Sequence, residues 1–375
     1  MVREHAIHVG VSMTDLSVPA DNAEPMKERF PFSFHGGASE FFGIWIVNLL
    51  LTIVTLGIYS AWAKVRTTRY FYGNTQVDGH GFAYHAEPVK ILIGRIIAVL
   101  IITFYSMSQL IDPMVYVGLT AVLLIAIPWL INRSLRFTAR MTSYRNVRFD
   151  FHGNYWRALW VFLIGPILAF FTLFLLMPVI ARAGQRYLAD SFTYGGRPMV
   201  LTAGLGPFYW AYFLGFLILL ALAAVATAVV IAAVPMLEGF DPSVLEEGQL
   251  PPPNILILFA AGYLLVLGMF AIAPIFVQTM ITNITFNNLV LDEKHEFESA
   301  MNPATMVWIV VTNLLLIIVT YGLMIPWARV RVAKYRADRT ALLAGGPLDQ
   351  YTSTVAQESA IGEEVAQAFD LEIPI

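Results

Sequence analysis

Three polar side chains fall inside apolar stretches that are long enough to cross a bilayer as helices. Asn48 and Asn313 lie near the middle of two such stretches, and Arg95 lies near the start of a third. A polar group at bilayer depth usually faces protein or water rather than lipid. The two asparagines could therefore line a solute pathway, or they could form interhelical hydrogen bonds that fasten the helices together. Arg95 could face a polar cavity or extend to the membrane interface.

Basic side chains recur in short segments at the ends of three apolar stretches. Two interpretations of them remain open. The cations could fix the topology and contact lipid phosphates at the membrane surface. Alternatively, they could surround an anion-binding vestibule. The residues are Lys64, Arg66, Arg69, Arg182, Arg186, Arg329, Arg331 and Lys334.

The remaining side chains give little support for catalysis. His35, His80, His85 and His152 do not follow a known metal-ligand spacing, so we predict no metal site. The chain has no cysteine, which excludes disulfides, thiolate ligands and cysteine nucleophiles. It also has no zinc-protease helix, catalytic-triad ordering or phosphate-binding glycine loop. The sequence therefore predicts a protein that is not an enzyme and that uses no cofactor.

The composition indicates a membrane protein. Of 375 residues, 58% are hydrophobic and 13% are charged, about half the charged share of a soluble protein. Seven apolar stretches approach or exceed the roughly 20 residues of a crossing helix. The prediction is an all-α polytopic membrane protein with about seven transmembrane helices. They lie at 41–62, 91–111, 114–132, 156–180, 207–235, 254–279 and 304–327.

The sequence also resembles itself, which indicates internal repeats. The first, fourth and seventh stretches end in TLGIYSAWAKVRTTRY, TLFLLMPVIARAGQRY and TYGLMIPWARVRVAKY. Short aromatic segments flank them, and the Asp78-Gly79 pair predicts small β-hairpins at the membrane surface. We predict a flexible polar tail (1–30), two three-helix repeats (31–148 and 149–293), a partial third repeat (294–339) and an acidic tail (340–375).

Two topologies fit these repeats. If all stretches cross, the second repeat is inverted relative to the first, as in many transporters, and the length of the stretches favours this arrangement. Alternatively, the first, fourth and seventh stretches could be re-entrant, which places every basic segment on the cytoplasmic side. Both topologies place the C-terminus in the cytoplasm.

The segments FSFHGGASEFFGIWIVN, TLGIYSAWAKVRTTRYFYGNTQVDG and FAYHAEPVKILIGR resemble the YjgN family of bacterial inner-membrane proteins. The resemblance covers about residues 30–340, and the stretch from Trp62 to Gly79 is its most specific part. It implies a multi-pass protein of the bacterial inner membrane. It supplies no reaction and no substrate.

Two functions remain open at this point. The chain could be a transporter or channel for a small solute or ion, or a non-transporting scaffold, lipid-binding protein or partner subunit. A polar cavity near Asn48 and Asn313 would favour transport, and a lipid-filled groove would favour the second function. The lipid bilayer is the predicted partner, with a small solute or ion as a second. The net charge of −3 argues against nucleic acid, and no feature supports a homo-oligomer.

Overall fold

The computed structural model describes residues 27–237 and 250–368. The greater part of the predicted N-terminal tail, residues 1–26, lies outside the described residues. So do residues 238–249 between the fifth and sixth predicted spans, and residues 369–375 at the end of the predicted acidic tail.

Ten short strands form one closed antiparallel barrel, so the prediction of an all-α protein is wrong. Strands adjacent in sequence are adjacent in the barrel, and β1 closes it by pairing with β10. The strands are β1 (Glu28–Phe34), β2 (Thr75–Val77), β3 (His80–Tyr84), β4 (Thr142–Tyr144), β5 (Val147–Phe151), β6 (Phe192–Tyr194), β7 (Arg197–Leu201), β8 (Leu289–Leu291), β9 (His295–Ser299) and β10 (Thr340–Ala344).

Helical hairpins alternate with tight strand turns along the chain. The helices are α1 (Ala38–Val54), α2 (Ser60–Asn74), α3 (Pro88–Ile111), α4 (Pro113–Arg140), α5 (Tyr155–Phe171), α6 (Met177–Ser191), α7 (Gly206–Leu237), α8 (Pro253–Asn287), α9 (Pro303–Val319), α10 (Ile325–Ala337) and α11 (Leu348–Ala368). Residues Trp160–Ile164 of α5 form a wider, π-helical turn.

All five helical hairpins leave the barrel at the same end. Each hairpin connects two neighbouring antiparallel strands, so its second helix must return to the end from which the first departed. Seven spans that each cross once are incompatible with this connection. The predicted arrangement of inverted three-helix repeats is therefore also wrong. The predicted boundaries 148/149 and 293/294 fall in β5 and in the β8–β9 turn, and stay predictions.

The helices differ in length in a way that hydropathy alone does not reveal. Three described helices are long and apolar enough to cross a membrane: Pro88–Ile111, Pro113–Arg140 and Gly206–Pro235. By contrast, α1 has 17 residues and spans about 25 Å, less than the ~30 Å hydrocarbon core. The predicted spans 41–62, 156–180 and 304–327 each run through a turn into a second helix. Because the turns are as apolar as the helices, hydropathy does not distinguish them from continuous helix.

The turn between α1 and α2 satisfies its own backbone donors. The N–H groups of Leu56, Gly57 and Ile58 donate to carbonyls of the same segment, and that of Tyr59 donates to Thr55 Oγ1 at 2.9 Å. The α9–α10 turn repeats the pattern, with Met324 N donating to Thr320 Oγ1 at 3.2 Å. A turn whose donors are bonded internally can lie in hydrocarbon without water.

Aromatic side chains fill the barrel. Alternate residues of a strand point to opposite faces, and the inward positions carry Phe32, Phe82, Tyr144, Phe149 and Tyr194. The Tyr194 hydroxyl donates to the Tyr144 carbonyl at 3.1 Å, and the Tyr144 hydroxyl donates to the Val77 carbonyl at 2.8 Å. Burial raises the pKa of Tyr194, so its hydroxyl stays protonated. The barrel is therefore a packed core and not an open pore.

The last described helix, α11, packs across the end of the barrel where the strand turns lie. Leu348 and Val355 are buried against the core residues of that end. Arg145, in the β4–β5 turn, donates to Asp349 at 2.6 Å and also pairs with Asp78. Arg197 donates to Glu358 at 2.5 Å. Apolar packing and these ion pairs together hold α11 over the turn end.

The ring of His295 on β9 contacts the ring of Tyr351 on α11. Their ring centroids are 4.1 Å apart. His295 is 2% exposed, and neither ring nitrogen has a hydrogen-bond partner among the described residues. Burial lowers the pKa of His295, which keeps the imidazole neutral at physiological pH.

Candidate functional site

An apolar cavity of about 390 Å³ lies at the helix end of the barrel. We call it the barrel-mouth chamber. Its wall combines inward-facing strand residues with residues at the ends of α2 and α4, where helix gives way to strand. The lining residues are Tyr72, Thr75, Phe82, Thr138, Ala139, Thr142, Phe149, Phe192 and Met199.

The chamber exists because the barrel is filled from the turn end only. Phe82 and Phe149 stack with centroids 6.5 Å apart, and Phe149 contacts Tyr194 at 5.1 Å. These rings form a floor across the barrel. Above the floor, Thr138 and Ala139 on α4 are small and leave the space toward the helices empty. The floor closes the chamber toward the turn end, and the hairpins surround its other side.

The lining limits what the chamber can bind. Among its nine residues only Tyr72 carries a titratable group, and no carboxylate, histidine or basic side chain is present. General acid–base chemistry needs such groups. Among residues 27–237 and 250–368, no group of three or more His, Asp or Glu side chains could hold a metal ion. A cavity of this size and composition suits an apolar ligand.

The two asparagines singled out from the sequence lie in different hairpins and have different surroundings. Asn313 on α9 is buried, donates to the Ala328 carbonyl at 3.2 Å and accepts from Arg331 at 3.1 Å. These contacts fasten α9 to α10. Asn48 on α1 is equally buried, and neither atom of its amide has a partner among the described residues. Neither residue lines the barrel-mouth chamber.

Arg95, Arg69 and Arg182 make structural contacts as well. Arg95 donates to the Ser60 hydroxyl and so joins α3 to the first residue of α2. Arg69 donates to the Tyr84 carbonyl at 3.0 Å, and Arg182 to the Ala203 carbonyl at 2.8 Å. Each of these two clamps a helix to the strand end beside it.

Arg136 makes a third clamp of the same kind, which the sequence did not single out. It donates to the Phe151 carbonyl at 3.1 Å. Arg186 pairs instead with Asp190 on its own helix at 3.2 Å. Lys64, Arg66, Arg329 and Lys334 are exposed, and they lie on α2 and α10.

The chamber residues themselves were missed because they look like ordinary strand residues. The available signal is the period-two aromatic pattern, Phe82-Ala-Tyr84, Phe149-Asp-Phe151 and Phe192-Thr-Tyr194. This pattern predicts strands with one aromatic face. It does not reveal that the aromatic faces of these three strands point into the interior of one barrel.

Comparisons with known proteins agree with the membrane character of the helices. A family described as "Bacterial protein of unknown function (DUF898)" matches residues 29–368. Inner membrane protein YjgN of Escherichia coli strain K12 is 37% identical over 138 residues, which cover 36% of this chain and 35% of the relative. Inner membrane protein YjgN of Salmonella typhimurium strain LT2 is 34% identical over 150 residues, covering 40% and 38%.

The aligned part thus spans little more than a third of the length of these relatives. No solved structure matches the chain. The names of the relatives support the bacterial inner membrane as the location. The three long apolar helices agree with a membrane location. Because the family match covers most of the chain, the resemblance noted from the sequence is confirmed: the protein belongs to the DUF898 family of bacterial proteins, that of the YjgN inner-membrane proteins.

Proposed function

We propose that the protein is a lipid-binding protein of the inner membrane whose barrel-mouth chamber accommodates an acyl chain from the bilayer. The observation that carries the proposal is the position of the chamber. It is an apolar cavity at the end of the barrel from which the helices extend, and one of the helices that line it, α4, is long and apolar enough to cross a membrane.

The distribution of charge supports a barrel in water and hairpins in lipid. Ion pairs such as Arg29–Glu298 and Arg140–Asp150 lie on the outside of the barrel or at the helix–strand junctions. The predicted basic segments lie on the helices α2, α6 and α10, which return to the barrel. By the positive-inside rule this end faces the cytoplasm. On this reading the short hairpins are re-entrant from the cytoplasmic side, and the α3–α4 hairpin crosses.

The helices form a ring in which each packs mainly against its neighbours, and α10 closes it on α1. In α3, the consecutive residues Val99, Leu100, Ile101 and Ile102 are each 46–64% exposed. Successive residues point 100° apart around a helix, so α3 exposes apolar groups around its whole circumference. A helix with that surface needs lipid on both the inner and the outer side of the ring.

Transport of a small solute, the other function considered from the sequence, has less support. A solute passing along the barrel axis would meet the aromatic floor and then α11. The contacts of Asn313 hold two helices of one hairpin together and leave it little capacity to bind a solute. The unpartnered amide of Asn48 is a feature that favours a polar pathway.

The proposal is tested by photo-crosslinking from inside the chamber. A diazirine amino acid at Met199 faces the chamber, whereas the same probe at the adjacent exposed Pro198 faces the outside of the barrel. We expect irradiation in native membranes to give lipid adducts at Met199 and few at Pro198, measured by mass spectrometry. Equal labelling at the two positions, or no lipid adduct at Met199, would refute lipid binding in the chamber.

A further inference from the structure

A second cavity, of about 490 Å³, lies beside the last helical hairpin and is separate from the barrel-mouth chamber. We call it the α9–α10 groove. Both helices of the hairpin contribute to it, and Phe71 on the nearby α2 completes the lining. The lining residues are Phe71, Val310, Asn313, Leu314, Ile317, Ile325, Ala328, Arg329, Val332, Ala333 and Arg336.

The groove is polar at one end and apolar at the other. Arg336 is one residue from the end of α10, next to the barrel, and Arg329 lies two turns deeper. By helix geometry the two positions are about 10 Å apart along the axis. Beyond Arg329 the walls are formed by Ile325 and Ile317, close to the turn of the hairpin.

The two cations lack the partners that other arginines of this protein have. Arg145, Arg197 and Arg140 each pair with a carboxylate within 3.0 Å. Arg329 and Arg336 have no carboxylate within ion-pair distance among the described residues. Arg329 lies instead over the ring of Phe71, with Cζ 5.8 Å from the centroid. This stacking holds the guanidinium at the groove while its N–H donors remain available.

We propose that the α9–α10 groove binds one anionic phospholipid. The headgroup phosphate lies between Arg329 and Arg336, and an acyl chain lies along Ile325 and Ile317. Arginine is well suited to phosphate because its planar fork donates two parallel hydrogen bonds. The inference deepens the proposed lipid binding by naming a headgroup class. It uses a different site, so the two proposals can fail independently.

The test measures lipid retention by native mass spectrometry. Delipidated full-length protein is incubated with mixed micelles that contain phosphatidylglycerol and phosphatidylcholine. We expect wild type to retain phosphatidylglycerol preferentially, and the R329Q/R336Q double variant to lose that preference by about tenfold. The R329K/R336K variant keeps both charges but loses the planar forks, so it should retain part of the preference, which separates loss of binding from loss of folding.

K64Q/R66Q is the matched control, because it also removes two charges. Lys64 and Arg66 are exposed cations on the nearby α2, and neither lines the groove. A loss in K64Q/R66Q equal to that in R329Q/R336Q would mean general surface electrostatics and would overturn the proposal. Inorganic phosphate is tested in place of the lipid. Inorganic phosphate could raise the thermal stability of wild type as much as phosphatidylglycerol does, and R329Q/R336Q could abolish that increase. In that case the occupant is a free anion, and the lipid assignment is wrong. Lipid adducts at Met199 with unchanged headgroup preference in R329Q/R336Q would refute this inference alone.

Discussion

Gly195 illustrates how a single residue can determine the packing of a whole helix. It lies in the β6–β7 turn with φ +54°, a backbone conformation that favours glycine. A Cβ atom at this position would overlap the side chain of Val355 on α11 and would lie 2.7 Å from that of Val147. The next residue, Gly196, also has a positive φ of +82°, but nothing lies within 4 Å of its Cβ position. Comparing the same substitution at Gly195 and at Gly196 therefore distinguishes the cost of backbone strain from the cost of steric overlap.

We expect Gly195→Ala to lower the stability of the protein more than Gly196→Ala does. Both substitutions incur the left-handed backbone cost of about 1–2 kcal/mol. Only Gly195→Ala also forces α11 away from the turn end, which adds about 1–3 kcal/mol for overpacking. Thermal unfolding in detergent measures the difference, and limited proteolysis reports whether α11 detaches. Equal destabilisation by the two variants would mean that α11 does not pack tightly at this turn.

At the scale of the element, the short hairpins depend on the conformation of their apolar turns. The first and third turns place a glycine at the second residue with positive φ, Gly57 (+94°) and Gly322 (+90°). The second turn has Phe174 (+64°) there. An L side chain at positive φ costs about 1–2 kcal/mol. All three turns have a non-glycine residue at the first position with positive φ, and only the second hairpin also has one at the second position.

We expect opposite effects from exchanging these residues. Gly57→Ala should destabilise the first hairpin by about 1 kcal/mol, because the space around Gly57 is open and only the backbone term changes. Phe174→Gly should stabilise the second hairpin by a similar amount, reduced by the loss of the ring contact between Phe174 and Phe170. The thermal unfolding midpoints of the two variants and of wild type, measured in one detergent, test both expectations. Stabilisation by Gly57→Ala would contradict the left-handed turn.

At the scale of the whole molecule, the connection of every hairpin to one end of a barrel constrains the topology. The strand turns all lie at the end of the barrel opposite the hairpins. If the hairpins enter the bilayer as proposed above, we expect all strand turns on one side of it and the loop between α3 and α4, around Ile111, on the other. This arrangement corresponds to the re-entrant topology considered from the sequence.

Single cysteines test this topology, because the native chain has no cysteine. We expect a membrane-impermeant thiol reagent to label Ile111→Cys in intact cells. It should label His80→Cys, which directly follows the β2–β3 turn, and Glu293→Cys in the β8–β9 turn, only after the cells are opened. Ile111 is 73% exposed, and the two turn residues are also exposed. Labelling of one turn but not the other in intact cells would rule out a barrel on one side of the membrane.

The sequence by itself determined the membrane environment, the family and the turn between β2 and β3. Apolar stretches of about 20 residues require lipid, and the segment from Trp62 to Gly79 carries the family resemblance. The Asp78-Gly79 pair determines a tight turn, and both residues have positive φ in the β2–β3 turn. These are properties of neighbouring residues, so a linear reading can detect them.

Only the tertiary structure decided that the strands close into a barrel and that a chamber lies at its mouth. Closure depends on the pairing of Glu28 with Ala344, and no local pattern specifies which strands pair at that separation. The chamber brings together residues from Tyr72 to Met199. The apolar turns at Thr55 and Thr320 look like continuous helix to hydropathy, because lipid selects for apolar side chains whether the backbone continues or reverses. The number of crossings is therefore determined by backbone conformation and strand pairing, and the apolar character of the chain does not reveal it.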